Sequence, residues 1–317
     1  MRPHLLQWLS AASLTTLLAA PALSQQSENP ADAEIHVLPV QGNVYMLVGP
    51  RGNTTLQVGD DGVLLVDTQT AELAQGIAEH IHALAEDPVR YIIINTHVHP
   101  DHAGGNEALA AMGRQQTGVG TEIVAHENVL IRMTAPPDES VPETQLSPQG
   151  WPTMAYFLPY RDIHFNGEPI EILHQPAAHT DGDSLVLFRR SDVVSTGDVY
   201  TPERYPVIDL ERGGSVQGII DALNRVIRIA VPEDKQEGGT KVIPGHGRLS
   251  EEADVVEFRD MVTIIRDRVQ ALIDDGMSLE EVQAARPSLD YDTEYGAETG
   301  PWTTEMFVEA VYRSLSE

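Results

Sequence analysis

Three histidines and an aspartate lie within six positions of the stretch NTHVHPDHAGG, which spans residues 95–105. They are His97, His99, Asp101 and His102. Imidazole and carboxylate groups suit zinc, and iron and manganese are alternatives. The stretch is therefore either part of a metal site or only a polar turn after a buried strand. A catalytic metal needs further ligands, so the rest of the chain decides between these two interpretations.

Three more side chains of metal-binding type occur in turns that follow apolar strands. His179 lies in QPAAHTDGDS, Asp198 in VSTGDVY and His246 in VIPGHG. A single histidine in such a turn is more often structural than a ligand. With the first cluster, however, they make five histidines and two aspartates on strand-end loops, where α/β proteins place their ligand sites. The sequence therefore predicts one metal site built from all seven residues.

The elements that position these residues form two similar halves. In the first half, the apolar run GVLLVDT precedes an amphipathic helix over 71–86, and the buried strand VRYIIIN leads into the histidine cluster. In the second half, the strands DSLVLF and DVVSTGD precede a helix over 216–229, and the strand KVIPGHG follows. Because both halves run strands, helix, strand and a His- or Asp-bearing loop, we predict an internal duplication.

The connection 134–157 is long and rich in proline and polar residues. Connections of this kind are usually lids, binding loops or disorder. It carries the aromatic residues Trp151, Tyr156 and Phe157, which are compatible with a binding loop and equally with plain packing.

The mature chain is predicted to be a single domain over 34–317, and its last part, 250–317, is helical. Ser278 and Glu281 have the spacing of a capping box at the start of one of these helices. We interpret the C-terminal helices as outer-layer packing and as candidate homodimer surfaces.

Residues 1–24 have the pattern of a secretory signal peptide: a basic start at Arg2, a short apolar stretch, and small residues at Ala22 and Ser24. A membrane anchor is the weaker interpretation, because polar residues dilute a run that is already short for spanning. Residues 25–33 are predicted to be a disordered lead-in. We therefore expect a periplasmic or secreted protein that has no membrane insertion after cleavage.

Composition narrows the chemistry further. The 317 residues contain no cysteine, so thiolate metal sites and disulfides are excluded. The formal net charge is −28, and Lys235 and Lys241 are the only lysines. Nucleic-acid binding needs clustered basic residues, which this chain lacks, so we expect no nucleic-acid partner and a small-molecule substrate.

The seven candidate ligands resemble the signature of the metallo-β-lactamase-fold hydrolase superfamily, H-x-H-x-D-H followed by separate His, Asp and His. The likeness covers nearly all of the mature chain, including GVLLVDT. The segments HTDGDS, TGDVY, YPVID, GGSV and PGHG look most like the exported SoxH-like and quinoprotein-associated zinc hydrolases. The resemblance implies an α/β fold, a four-layer αββα sandwich with two internally similar halves and C-terminal helices.

The resemblance also implies two Zn²⁺ ions per chain. The first zinc would be held by His97, His99 and His179, the second by Asp101, His102 and His246, and Asp198 would bridge the two. In this family, Asp101 lies beside a hydroxide that bridges both ions, where it can orient the hydroxide and take a proton.

Residues around the ligands are also candidates. Asp67, at the end of LLVD, resembles the buried aspartate that supports the motif loop in this family. Asp181 or Asp183 is placed to accept the outer N–H of a ligand histidine. Tyr200 and Arg204 are candidates for substrate contact, with packing as the alternative for Tyr200. The histidines at 126, 164 and 174 are interpreted as structural.

The family name alone does not decide the reaction. Dizinc class B β-lactamases commonly carry Cys, or an extra His with no bridge, at the position of Asp198, and the Cys-bearing subclass has Lys where this chain has Thr201. Glyoxalase II binds glutathione with Lys and Arg of its helical tail, and the lysine-free tail of this chain offers little for that. The flavodiiron oxidoreductases have Glu at the position of His99. The negative net charge argues against the β-CASP nucleases.

The preferred interpretation is an exported dizinc hydrolase of small-molecule ester, thioester, lactone or amide bonds. Three alternatives stay open: β-lactamase-like activity, a persulfide dioxygenase with a single iron, and a non-catalytic periplasmic zinc-binding accessory protein.

Overall fold

The computed structural model describes residues 34–85, 88–136 and 146–316. The predicted signal peptide and lead-in lie outside the described residues, as does the middle of the connection 134–157. Among the described residues, no helix is both long and apolar enough to cross a membrane.

The first half folds into a seven-stranded sheet whose strands follow chain order. The first four strands pair antiparallel, and the last three continue the sheet in parallel. The strands are β1 (His36–Gln41), β2 (Val44–Gly49), β3 (Gly52–Gly59), β4 (Gly62–Val66), β5 (Tyr91–Ile94), β6 (Glu122–His126) and β7 (Met154–Tyr156). The helix α1 (Ala74–Leu84) makes the crossover from β4 to β5.

The second half forms a six-stranded sheet in the order β13-β12-β11-β10-β9-β8. Its strands are β8 (Tyr160–Phe165), β9 (Glu168–Gln175), β10 (Asp183–Phe188), β11 (Val193–Ser195), β12 (Lys241–Ile243) and β13 (Ser250–Glu251). The strands β8 to β11 pair antiparallel, and β12 then joins β11 in parallel after the helix α5 (Val216–Ile229). The halves thus share four antiparallel strands, a helix and a parallel strand, as the predicted duplication requires.

Period-two alternation explains how the sheets stack. In β4, Leu64 and Val66 face the second sheet, whereas Val63 and Leu65 face the helices of the first half. A strand that is buried on both faces must be apolar throughout, which accounts for the run GVLLV. The second sheet buries its other face against α5 and the C-terminal helices. The result is the expected four-layer αββα sandwich.

The remaining helices pack around the two sheets or follow the ends of their strands. They are α2 (Pro100–Ala103), α3 (Asn106–Thr117), α4 (Glu127–Met133), α6 (Glu252–Asp274), α7 (Leu279–Ala285), α8 (Asp292–Tyr295) and α9 (Thr304–Ser316). The capping box at α7 is present: Ser278 N donates to Glu281 Oε2 at 2.8 Å, and Glu281 N donates to Ser278 Oγ at 3.4 Å.

The described part of the connection 134–157 is packed onto the domain. Its last residues form β7, because Thr153 N bonds Ile123 O at 2.9 Å and aligns the chain parallel to β6. Tyr156 is buried and its hydroxyl lies 2.7 Å from Ser184 Oγ, whereas Trp151 is half-buried. Phe157, by contrast, is 71% exposed. Packing therefore accounts for the first two aromatic residues.

Candidate metal centre

The motif loop begins where β5 ends. The strand delivers Asn95 and Thr96 into a buried turn, and Pro100 then starts α2, the short helix that carries Asp101 and His102. Proline suits the first position of a helix, because its fixed φ is already helical and its missing N–H would have no partner there. One strand end thus presents four candidate ligands within six residues.

Asp67 fixes this loop from the end of β4. Its carboxylate accepts hydrogen bonds from Thr96 N at 2.8 Å, Thr96 Oγ1 at 2.7 Å and His102 Nδ1 at 2.8 Å. Asp67 is 2% exposed and has a left-handed φ of 62°. Such a backbone conformation is unfavourable for a non-glycine residue, and surrounding contacts must hold it. Asp67 therefore supports the motif loop through its contacts with Thr96 and His102.

The other three candidate ligands come from the second half, each from a turn after a strand. His179 follows β9, Asp198 follows β11 and His246 follows β12. The last two approach closely because residue 245 is glycine: a Cβ there would lie 2.1 Å from Asp198 Oδ1. Asn53 of β3 holds the His246 loop by donating from Nδ2 to Pro244 O and Gly247 O, both at 3.0 Å.

One set of ligands, the three-histidine group, consists of His97, His99 and His179. Within it, His99 Nδ1 lies 3.1 Å from His97 Nε2 and 2.9 Å from His179 Nε2. The opposite ring nitrogens are held from outside. His97 Nδ1 lies 3.0 Å from Thr96 Oγ1, His99 Nε2 lies 2.9 Å from Asp209 Oδ2, and His179 Nδ1 lies 2.8 Å from Val207 O.

The second set, the His246 group, consists of Asp101, His102 and His246. His246 Nε2 lies 3.3 Å from both His102 Nε2 and Asp101 Oδ2. Asp198 lies beside both sets: its oxygens are 3.2 Å from His102 Nε2, 3.5 Å from His246 Nε2 and 4.0 Å from His179 Nε2. The structure therefore brings the seven candidate ligands together, with Asp198 beside both sets.

The charges of these groups differ between the two sets. Burial lowers the pKa of His97 well below its usual value, and burial likewise lowers the pKa of His179. For His102, burial acts downward, but the carboxylates of Asp198, Asp67 and Asp101 raise the pKa well above the ordinary value. Burial alone would raise the pKa of Asp101, yet the neighbouring His102 and His246 bring it down to about 2.

The arrangement fits a bound cation. In the three-histidine group, the ring nitrogen that faces away from the group donates to an oxygen acceptor in each histidine. The nitrogens that face one another therefore carry lone pairs and no proton, although they lie at about hydrogen-bonding distance. In addition, Asp198 Oδ1 is buried and makes no hydrogen bond of good geometry among the described residues. Lone pairs that converge without a donor, as in the three-histidine group, are costly unless a metal ion sits among them. Imidazole and carboxylate are the ligand types of catalytic zinc.

Among the described residues, neither Asp181 nor Asp183 accepts a hydrogen bond from a ring nitrogen of a candidate ligand. Asp183 accepts from Thr180 N and Oγ1 within its own turn, both at 2.8 Å, and burial raises its pKa to about 6. Asp181 binds Arg132 through both oxygens instead. The turn after β9 satisfies itself locally, so its carboxylates do not reach the rings.

Tyr200 is likewise not at the site. Its side chain is fully buried, its hydroxyl donates to Ser250 Oγ at 3.1 Å, and its ring packs edge-on against Phe258. Burial raises the pKa of Tyr200 to about 12, so its proton stays in the core. Arg204 is closer to the chemistry, because one of its terminal nitrogens lies 3.6 Å from Asp198 Oδ2 and its side chain is 38% exposed.

Sequence reasoning missed the residues that take the place of Asp181 and Asp183. Asp209 receives the N–H of His99, and it also binds Arg212 at 2.7 Å. Asp209 is 110 positions from His99, so no local pattern connects them. Val207 acts through its backbone carbonyl, which no side-chain motif can reveal.

The four layers and the ligand geometry define an αββα protein with two adjoining His/Asp groups. The chain belongs to the metallo-beta-lactamase superfamily, whose family model matches residues 47–247. Comparison with curated proteins found no match.

Solved structures of low sequence identity share the fold. The stereoselective inverting sec-alkylsulfatase Pisa1 from a Pseudomonas species is 18% identical with a TM-score of 0.65, covering 88% of this chain and 50% of that one. This chain thus spans about half the length of the alkylsulfatase. The BLEG-1 B3 metallo-beta-lactamase is 18% identical (TM-score 0.55; 73% of this chain and 100% of that one). A metallo-beta-lactamase from Pontibacter korlensis is 16% identical (TM-score 0.53; 73% and 99%).

Proposed function

We propose that the protein is an exported dinuclear zinc hydrolase that cleaves an ester, thioester, lactone or amide bond of a small molecule. The observation that carries the proposal is the position of Asp198, which lies between the three-histidine group and the His246 group. A single carboxylate shared by two groups of nitrogen ligands is a geometry for two metal ions rather than one. Export is supported by the signal pattern in residues 1–24.

The three-histidine group would hold one ion, the His246 group would hold the other, and Asp198 would contact both. Bound zinc supplies a Lewis acid and lowers the pKa of a coordinated water to about 7. The absence of cysteine and the presence of five imidazoles favour zinc over softer metals at these positions. The similar structures bear the names of a sulfatase and of β-lactamases, which agrees with hydrolysis.

Three residues of the chain have roles that follow from their positions. Asp101 has a side chain that is 36% exposed, so its carboxylate can accept a hydrogen bond from an incoming water and orient it. Arg204 places a fixed positive charge beside Asp198, where it can contact an anionic oxygen of the substrate. Asp209 fixes the ring of His99 and its tautomer.

The proposal is tested by elemental mass spectrometry of the exported protein beside the variants Asp198→Ala and Asp221→Ala. Asp221 is an exposed residue of α5 and serves as the matched control. Two zincs per chain, falling toward one in Asp198→Ala alone, are expected. Hydrolysis of 4-nitrophenyl acetate or a lactone should fall with the metal content.

Two other results would contradict the proposal. One iron per chain, with oxygen consumption on a persulfide, would indicate the dioxygenase. Full zinc loading without turnover of any ester, lactone, thioester or β-lactam would indicate the accessory protein.

A further inference from the structure

A cavity of about 400 Å³ opens beside the three-histidine group. It lies between the segment 207–211 and the helix α9, and the ring of His99 forms part of its wall. The rest of the wall is mainly apolar, from Val207, Ile208, Leu210, Trp302, Met306 and Ala310. Its volume suits part of a small molecule rather than a folded partner. A group held in this cavity would touch a candidate metal ligand directly.

The charges around the cavity restrict what it can hold. Asp209 is bound to His99 and Arg212, and Arg313 is paired with Glu309 at 2.7 Å. Glu211 is exposed at the same cavity and forms no ion pair among the described residues. Glu211 is therefore the unpaired charge among the described residues of the wall, and it disfavours a second negative charge at the end of the cavity away from the candidate metal ligands.

A different cavity, of about 480 Å³, opens beside His246. Its wall includes the charged residues Glu203 and Arg248 and the amide of Asn53 beside apolar residues. The ligand set thus adjoins an apolar cavity through His99 and a more polar one through His246. This difference gives a substrate two unlike surroundings for its two ends.

We propose that the cavity beside His99 is a substrate subsite that takes an uncharged apolar group, either a medium-length alkyl chain or one aromatic ring. This inference rests on the proposed function, because it places the bond to be cleaved at the metal groups. Each methylene buried in the cavity should tighten binding about fourfold. A negative charge at the far end of the chain should weaken binding.

Binding is measured first, by calorimetry on the metal-loaded full chain, with three secondary amides, because the amide is the least reactive of the proposed bond types. N-hexylacetamide should bind at least tenfold more tightly than N-methylacetamide, and 6-acetamidohexanoate should bind more weakly than N-hexylacetamide. The variant Met306→Trp, which fills the cavity from a position that is 41% exposed, should reduce the hexyl advantage to less than about threefold. Its control is Glu305→Trp, an exposed position on the same helix outside the cavity.

A second pair of variants tests the charge without filling the cavity. Glu211→Lys should strengthen binding of 6-acetamidohexanoate severalfold, whereas Glu203→Lys, at the other cavity, should not. Equal binding of the methyl and hexyl probes, or equal effects of the two lysine variants, would overturn the subsite.

Turnover separates the two proposals. If 4-nitrophenyl acetate and hexanoate are hydrolysed with the same kcat/KM and the amides show no chain-length dependence, the subsite fails and the hydrolase stands. If the hexyl probe binds as expected but no ester, thioester, lactone or amide is cleaved, the hydrolase fails and the cavity keeps its apolar ligand without the substrate role.

Discussion

The three-histidine group and the His246 group contain the same number of ligands but are held differently. His97 and His179 are almost fully buried, and all three rings of their group have an oxygen acceptor on the outer nitrogen. In the His246 group, His102 alone has such an acceptor among the described residues, and that acceptor is Asp67. The side chains of His246 and Asp101 are 21% and 36% exposed.

This difference bears on metal affinity. Ligands that are already fixed in position and tautomer lose little freedom when a metal binds. A hydrogen-bond acceptor on the far ring nitrogen also makes the histidine a better electron-pair donor to the metal. The raised pKa values of His102 and His246 add a competing proton in the second group. We therefore expect the three-histidine group to bind zinc more tightly than the His246 group.

The largest effect on stability and zinc content is expected at Asp67, because this residue supports both ligand groups. It holds His102 directly and holds His97 through Thr96 Oγ1. Asp67→Ala leaves buried donors without an acceptor, so the free energy of unfolding should fall by about 3–5 kcal/mol. Both zincs should be lost. Urea unfolding and metal analysis measure the two effects, and loss of zinc from one group alone would contradict the shared role.

Stepwise removal of zinc tests the affinity order itself. Titration of the loaded protein with nitrilotriacetate should release zinc in two steps, separated by about 10–100-fold in affinity. His246→Ala should remove the weaker step and keep the stronger one. The predicted order of zinc affinities is contradicted if His246→Ala abolishes the tighter release step, or if His179→Ala leaves the tighter release step intact.

A substitution at Asp209 should weaken zinc binding by the three-histidine group alone. Asp209→Asn replaces the charged acceptor of His99 by an amide, and loss of such a partner typically costs 10–100-fold in metal affinity. The affinity of the tighter zinc-release step should fall toward that of the weaker step. The affinity of the weaker step should not change and serves as the internal control. An unchanged tight step would show that the carboxylate contributes little to fixing His99.

Asn53 is the corresponding position for the His246 group. Its amide donates to Pro244 O and Gly247 O across the two halves, and its backbone N–H donates to Gly245 O. Asn53→Ala should loosen only the loop that carries His246, lowering the weaker zinc step and costing about 1–3 kcal/mol of unfolding free energy. A shift of the tight step instead would contradict the independence of the two groups.

How far the sequence predicts this site depends on the range of each contact. The seven candidate ligands follow from strand ends and spacing, because β5, β11 and β12 are buried apolar runs whose ends meet at one edge. The partner of His99 does not follow, since Asp209 reaches it across 110 positions. The carboxylate of Asp183 makes no bond to a ligand ring because Thr180, in the same turn, binds it. The edge strand β1 does not follow from the sequence either, because its exposed, mixed pattern lacks alternation.

The smallest effect is expected at Tyr200, which lies two residues from Asp198 yet belongs to the core. Tyr200→Phe removes one buried hydrogen bond to Ser250 Oγ, so the free energy of unfolding should fall by about 1 kcal/mol. Neither zinc step should move, and kcat for 4-nitrophenyl acetate should stay within about twofold of the unsubstituted protein. Loss of a hydroxyl that stabilises an oxyanion would instead lower kcat about 10²–10³-fold. Measuring kcat and urea unfolding on the same preparation therefore separates a packing residue from a catalytic one at a position where the sequence alone allows both.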